Sequence, residues 1–190
     1  PHIGVITNIG EAHLENFKNV HGIAKAKSEI IENIQNGGTV ILNKDDKFFD
    51  YLYKKAKAYK LKITTFGYNK NSDIFIKKIV IRKNFSRIIL NIDNQLIDLE
   101  IRDLNIYNVL ASIAILKELR VDISKIKSKF KSLELPDGRG KKYFVFRYKK
   151  KFKLIDESYN ANPLSVKNAI NKLSLIKKNK FKKYLILGDM

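Results

Sequence analysis

Apolar and polar positions fall into blocks along the chain, and the period of each block predicts an element. Ile3-Gly4-Val5-Ile6-Thr7 reads as a short buried strand running into a polar turn, Asn8-Ile9-Gly10-Glu11-Ala12-His13. From about 22 to 35 the apolar residues recur at helical spacing, and Gly37-Gly38 stops the helix. Strands over 39–43 and 61–66 flank a short helix at about 47–57. The order strand–helix–strand–helix–strand predicts a parallel, doubly wound sheet.

The period then changes. Residues 74–81, 87–92 and 95–101 are short alternating runs joined by polar turns, which predicts a small antiparallel sheet beside the main one. Helices are predicted at about 105–119 and 123–133, the second capped by Asp122, with Ser124 also available. Leu135-Pro136-Asp137-Gly138-Arg139-Gly140 breaks both periodicities and marks a boundary. Beyond it the pattern predicts a hairpin (143–148 and 152–156), a helix at about 163–176 and a strand at 184–187. Asn162-Pro163 suits that helix start, with Asn as cap and Pro at the first helical position. A parallel strand followed by Gly188-Asp189-Met190 should feed another helix. The expectation is therefore an α/β chain holding one nearly complete domain and the first half of another, cut from a longer protein.

Composition narrows the chemistry. The chain has 190 residues, 44% of them apolar and 30% charged, enough for a packed core. No apolar run approaches the roughly 20 residues of a membrane span. No signal peptide is visible, although the chain opens with Pro1 and not Met. Without cysteine there is no disulfide, thiolate metal site or cysteine nucleophile. The net charge of +19 invites a nucleic-acid reading. The lysines are scattered, however, and only six of the 38 basic residues are arginines, which favour specific base and phosphate forks.

Several residues stand out as candidates for chemistry. Lys27 falls inside the apolar stripe Ile23, Ala26, Ile30, Ile31 and Ile34, where burial would favour a neutral amine able to act as a base or to form a carbamate with carbon dioxide. The alternative is a lysine that snorkels past the stripe. His13, flanked by Glu11 and Glu15, lies just beyond the carboxyl end of the first strand, where open α/β sheets place ligands. Asn108 opens a helix that is apolar almost all round, so a buried amide there either ties down a loop or reads a ligand edge. Arg139 lies between two glycines that leave its fork free to approach a planar or anionic group. Glu157-Ser158-Tyr159-Asn160-Ala161-Asn162 joins a strand end to a helix N-terminus, which suits an anion or sugar hydroxyl and equally suits plain capping. No G-x-x-x-x-G-K-[ST] occurs in these residues.

In order, four stretches resemble the Mur ligase family: Thr7-Asn8-Ile9-Gly10-Glu11-Ala12-His13-Leu14-Glu15; Gly22-Ile23-Ala24-Lys25-Ala26-Lys27; Asn105-Ile106-Tyr107-Asn108-Val109-Leu110-Ala111; and 136–140 followed by Asp156-Glu157-Ser158-Tyr159-Asn160-Ala161-Asn162-Pro163. The Glu-Ala-His turn and the Tyr-Asn-Ala-Asn-Pro run resemble the members that join D-alanyl-D-alanine to UDP-N-acetylmuramoyl-tripeptide. The resemblance implies a cytoplasmic, monomeric enzyme of peptidoglycan precursor synthesis, with no nucleic-acid partner. It uses ATP and Mg2+ to form an amide through an acyl phosphate. Residues 1–136 are then the later part of a central ATP-binding domain, and 137–190 the start of a Rossmann-like C-terminal domain. The phosphate-binding loop and an upstream glutamate that shares a magnesium would precede Pro1, so these residues alone should show no turnover.

By the same resemblance His13 is a magnesium ligand, and Lys27 is the lysine that becomes carbamylated and presents its carboxylate to the metal. Asn108 and Arg139 are nucleotide contacts, Glu157 lies near the ribose, and Asn160 and Asn162 belong to the same end of the nucleotide. Two positions depart from the family pattern: Leu104 stands where relatives often carry His, and Glu157 where aspartate is common. The competing expectations are a sister Mur ligase, a folylpolyglutamate synthase-like enzyme, a basic nucleic-acid-binding module, and an inactive scaffold that keeps the fold.

Overall fold

The computed structural model describes residues 1–10, 17, 19–82, 85–102, 105–176 and 182–188. It contains two compact units: Pro1–Ile9 with Asn19–Glu134, and a second that begins at Leu135 in the main chain run.

In the first unit β1 (Ile3–Ile6), β2 (Thr39–Asn43) and β3 (Lys62–Gly67) pair in parallel, each with its successor. The crossovers are α1 (Val20–Glu32) and α2 (Phe49–Ala58). All five residues of β2 are buried, as expected of a strand covered on both faces. Ile41 points into the core that holds Val109, Leu110 and Ile113 of α3 (Ile106–Glu118). Val40 and its partner Gly4 face the other side, where Gly4 leaves room for Ile30 and Ile34. Helices thus cover both faces, and the doubly wound reading holds.

The alternating runs form β4 (Ile74–Ile81), β5 (Ser86–Ile92) and β6 (Gln95–Ile101). They do not stand beside the parallel strands but extend them. β4 starts parallel to β3 through Phe66–Ile74 and Gly67–Phe75, then pairs antiparallel with β5, which pairs antiparallel with β6. One core explains the continuity, because Ile74, Ile88, Leu90, Leu99 and Ile101 join the same cluster as Ile41 and α3. A separate antiparallel sheet does exist, but it lies in the second unit.

Two helix boundaries differ from expectation. α1 begins at Val20 because Asn19 caps it, its side chain accepting the Gly22 N–H at 3.0 Å. The helix expected over 123–133 is two short pieces, α4 (Ile123–Ile126) and α5 (Lys129–Ser132). Between them the bonds tighten to three-residue spacing, Phe130 N–H to the Lys127 carbonyl and Lys131 N–H to that of Ser128.

In the second unit β7 (Lys141–Arg147) and β8 (Lys150–Asp156) make a hairpin. Its two turn residues, Tyr148 and Lys149, have φ of 51° and 58°, the twist that a tight hairpin favours. α6 (Pro163–Leu175) follows, capped by Asn162 in a reciprocal box with Ser165. The strand expected at 184–187 is absent: those residues carry no regular structure, and Tyr184 and Ile186 are exposed. A strand exists only through its neighbours, and among the described residues none pairs with this segment.

Glu118, at the end of α3, ties this helix to the start of the parallel strands. Its carboxylate, 5% exposed, accepts from Thr64 Oγ1 at 2.7 Å, Lys62 Nζ at 2.8 Å and Thr39 Oγ1 at 3.3 Å. Burial alone would raise its pKa, but the bonds from Lys62 and Thr64 outweigh it and hold the carboxyl below its usual range. A depressed carboxyl contributes stability above the unfolded value, lost as pH falls through the folded one. Glu118→Gln is expected to cost about 2 kcal/mol at neutral pH. In urea titrations the gap from wild type should close as the solution is acidified below 4.5, the ordinary value of a glutamate carboxyl.

Candidate active site

The three residues that leave β1 are each held by a side chain from another element. The Thr7 carbonyl accepts from Asn43 Nδ2 at 3.0 Å, and the Ile9 N–H donates to Asp46 Oδ2 at 2.7 Å. Between them the Asn8 carbonyl accepts from Lys27 Nζ at 3.0 Å. Asn43 and Asp46 end β2 and open the turn into α2, so the carboxyl ends of two adjacent parallel strands are fastened together. Such strand ends are where open α/β sheets bind ligands.

Lys27 is not buried, contrary to its expected place in the apolar stripe. The buried seam of α1 consists of Ile23, Ala24, Ser28 and Ile31, turned by about one residue from the stripe read in sequence. Ser28 occupies the polar place within it, its hydroxyl accepting from Lys55 Nζ at 2.9 Å and donating to the Lys25 carbonyl at 2.7 Å. Lys27 lies on the exposed flank and sends its amine back to the strand end. This is the snorkelling arrangement, with a specific acceptor at the tip.

His13 lies outside the described residues, as do Glu11 and Glu15. Among the described residues no three His, Cys, Asp or Glu side chains gather as a metal cluster. Lys27 nevertheless fits part of a magnesium site. An exposed primary amine can take up carbon dioxide, and the resulting carbamate ends in the hard oxygen donors that magnesium prefers.

A second anchor lies beside the first. Asp45 accepts the backbone N–H groups of Tyr68 at 2.6 Å and Asn69 at 3.0 Å, and the Tyr107 hydroxyl at 3.1 Å. It thereby ties the turns after β2 and β3 to the N-terminus of α3. Burial first, then the Asp45 charge and hydrogen bond, push the Tyr107 phenol up to about 12, so it remains a donor at neutral pH. Asn105 caps α3, its side chain accepting the N–H of Tyr107 at 2.9 Å and of Asn108 at 3.4 Å.

Asn108 is exposed, not buried as the apolar helix implied. It shares with Ser112, four residues on, the open strip of a helix otherwise packed on Val109, Leu110, Ala111, Ile113 and Ala114. Its amide makes no hydrogen bond among the described residues, which leaves it available to a ligand.

In the second unit the glycines that flank Arg139 have φ of +71° (Gly138) and +89° (Gly140). The Gly140 N–H donates to the Asp156 carbonyl at 2.6 Å, and the Tyr159 N–H to that of Gly138 at 3.1 Å. This brings Arg139 against Tyr159, the guanidinium 4.3 Å from the ring centroid, and places the Glu157 carboxylate beside Gly140. Asn160 is exposed. The Asn162 side-chain oxygen is used in the cap of α6, accepting the Ser165 N–H at 2.9 Å, and its amide nitrogen takes no part in that cap.

A profile of the Mur ligase middle domain matches residues 1–116. The chain belongs to the Mur ligase family. This Mur ligase chain is 32% identical over 193 aligned positions to a Buchnera aphidicola subsp. Baizongia pistaciae protein named UDP-N-acetylmuramoyl-tripeptide–D-alanyl-D-alanine ligase, covering 100% of this chain and 40% of that protein. It superposes on MurF from Acinetobacter baumannii with a TM-score of 0.79 and 29% identity, covering 93% of this chain and 38% of that one. A Thermotoga maritima MurF ligase solved in complex with ADP gives a TM-score of 0.70 and 25% identity, over 92% and 39% of the two chains. The chain thus spans about two fifths of the length of these relatives.

Lys27, Asn108 and Arg139 stand out in the sequence by their own neighbours as well as by the Mur ligase motifs, whereas most of the side chains that hold their surroundings do not. Asn43, Asp45 and Asp46 belong to none of these motifs, although Asn43-Lys44-Asp45-Asp46 directly follows a buried strand. Hydrogen-bonding side chains at such a place are a usable signal.

Proposed function

We propose that this chain is the later part of the central domain and the start of the C-terminal domain of an ATP-dependent amide ligase. The ligase joins D-alanyl-D-alanine to UDP-N-acetylmuramoyl-tripeptide in cytoplasmic peptidoglycan precursor synthesis. The observation that carries this reading is the Lys27 amine held at the Asn8 carbonyl, at the carboxyl end of β1 in a Mur ligase middle domain. In the reaction the tripeptide carboxylate attacks the γ-phosphorus of ATP; a carbon-bound oxygen joins phosphorus and ADP leaves. The dipeptide amine then attacks the acyl carbon, loses a proton and expels phosphate.

The chain's own residues bind and orient. Lys27, as its carbamate, and His13 are the proposed holders of magnesium, with the Asn8 carbonyl fixing where the Lys27 arm ends. Bound magnesium would offset negative charge on the transferring phosphoryl group. Asn108, Arg139, Glu157, Asn160 and Asn162 are the proposed nucleotide contacts.

The test is phosphate release by the full-length protein supplied with ATP, UDP-N-acetylmuramoyl-tripeptide and D-alanyl-D-alanine. Release is expected only when all three are present. Release with a single amino acid in place of the dipeptide would assign the chain to a sister ligase, and none with any acceptor would overturn the reading.

A further inference from the structure

Arg139 makes no ion pair among the described residues, yet its side chain is not left to wander. Its guanidinium lies 4.3 Å from the Tyr159 centroid, and no other cation–ring contact among the described residues is closer than 5.2 Å. Tyr159 is 67% exposed, so its ring contributes little to a core. Nor does its hydroxyl make a hydrogen bond among the described residues, whereas that of Tyr143 donates to Asp137 at 3.0 Å. What the ring does is stand against an exposed cation whose N–H groups make no hydrogen bond among the described residues.

The backbone is arranged to bring the two together. The Tyr159 N–H binds the Gly138 carbonyl, and a Cβ on Gly138 would stand 2.7 Å from that same nitrogen. The turn carrying Arg139 and the loop carrying Tyr159 therefore meet at a distance that only bare backbone permits. An arginine side chain has many rotamers, and stacking on a ring selects those with the guanidinium plane parallel to the ring face.

We infer that Tyr159 is a positioning residue: its ring fixes the plane of the Arg139 guanidinium so that the N–H edge is presented to an anionic group of the nucleotide. This rests on the reading of Arg139 as a nucleotide contact. The ring acts through the arginine and needs no contact with the nucleotide itself.

The test is a double-mutant cycle in the full-length protein, reading KM for ATP and kcat separately. Tyr159→Leu should raise KM for ATP about fivefold, the size of an exposed cation–ring contact, with kcat little changed. Tyr159→Phe, which keeps the ring, should restore the wild-type KM. On an Arg139→Ala background, Tyr159→Leu should add nothing. If Arg139→Ala leaves KM for ATP unchanged, the nucleotide reading of Arg139 fails and the inference falls with it. If Arg139→Ala raises KM but Tyr159→Leu does not, or the two effects multiply in full, the positioning role alone is overturned. Matching thermal melts of the single variants keep a folding defect from imitating either result.

Discussion

If the full-length protein is the proposed ligase, replacing Lys27 by alanine is expected to lower its kcat by a factor of about a hundred to a thousand, the usual cost of removing one group that stabilises charge in a transition state. The thermal melt should move little. The Lys27 side chain is exposed on the flank of α1, and its one hydrogen bond among the described residues, to the Asn8 carbonyl, can be replaced by water. This split between activity and stability separates a lysine that works on the substrate from one that merely fastens α1 to the end of β1. Arginine at the same place keeps a cation within reach of Asn8 but cannot form the carbamate under these conditions, so Lys27→Arg should be as slow as Lys27→Ala. A short carboxylic acid such as acetate, added to the alanine variant, should recover part of the rate by placing oxygens where the carbamate ends. If Lys27→Arg retains full kcat, the residue's role is cationic and the carbamate reading is wrong.

Gly138→Ala is expected to destabilise the second unit by about 3 kcal/mol. Part is the left-handed backbone, φ +71° at Gly138, which costs a residue with a Cβ roughly 1–2 kcal/mol. The rest comes from close approach: the new Cβ would stand 2.7 Å from the Tyr159 nitrogen and 2.8 Å from its Cβ, and backbone cannot swing aside as a flexible side chain would. The measurement is amide hydrogen exchange at Tyr159, whose N–H is bonded to the Gly138 carbonyl. Protection there should fall sharply while the amides of β2 in the first unit keep theirs. Unchanged protection at Tyr159 would mean that the turn and the loop do not meet as described.

The elements most readable in sequence were those whose pattern had one physical cause. β1, β2 and β3 are apolar runs bounded by polar turns, and the helices between them follow from the need to cross over between parallel strands. Asn162-Pro163 announced α6 because the cap and the first-turn proline are local signals. Long-range contacts were harder to foresee. That β4 leaves β3 in parallel and then turns antiparallel rests on two residue pairs, Phe66–Ile74 and Gly67–Phe75, and no local period encodes them. The 184–187 run has the composition of a strand, but composition does not supply a pairing partner.

The site shows the same division. The apolar stripe singles out Lys27 and the motif agrees, yet the stripe puts it on the buried side because a helical period fixes a face only to within a residue or so. Asn108 was misjudged for a related reason, since one open strip of an apolar helix is indistinguishable in sequence from its packed faces. The supports could not be read at all. Asp45 reaches Tyr107 across 62 positions, and Glu118 reaches Thr39 and Lys62 across 79 and 56.

The chemical state of the Lys27 amine decides the proposed function. Full-length protein equilibrated with isotopically labelled bicarbonate, with ATP and magnesium present, should show a carbamate carbon signal by NMR. That signal should vanish on acidification and be missing from Lys27→Ala protein prepared in parallel. A wild-type spectrum without that resonance, or an identical resonance persisting in Lys27→Ala, would contradict it.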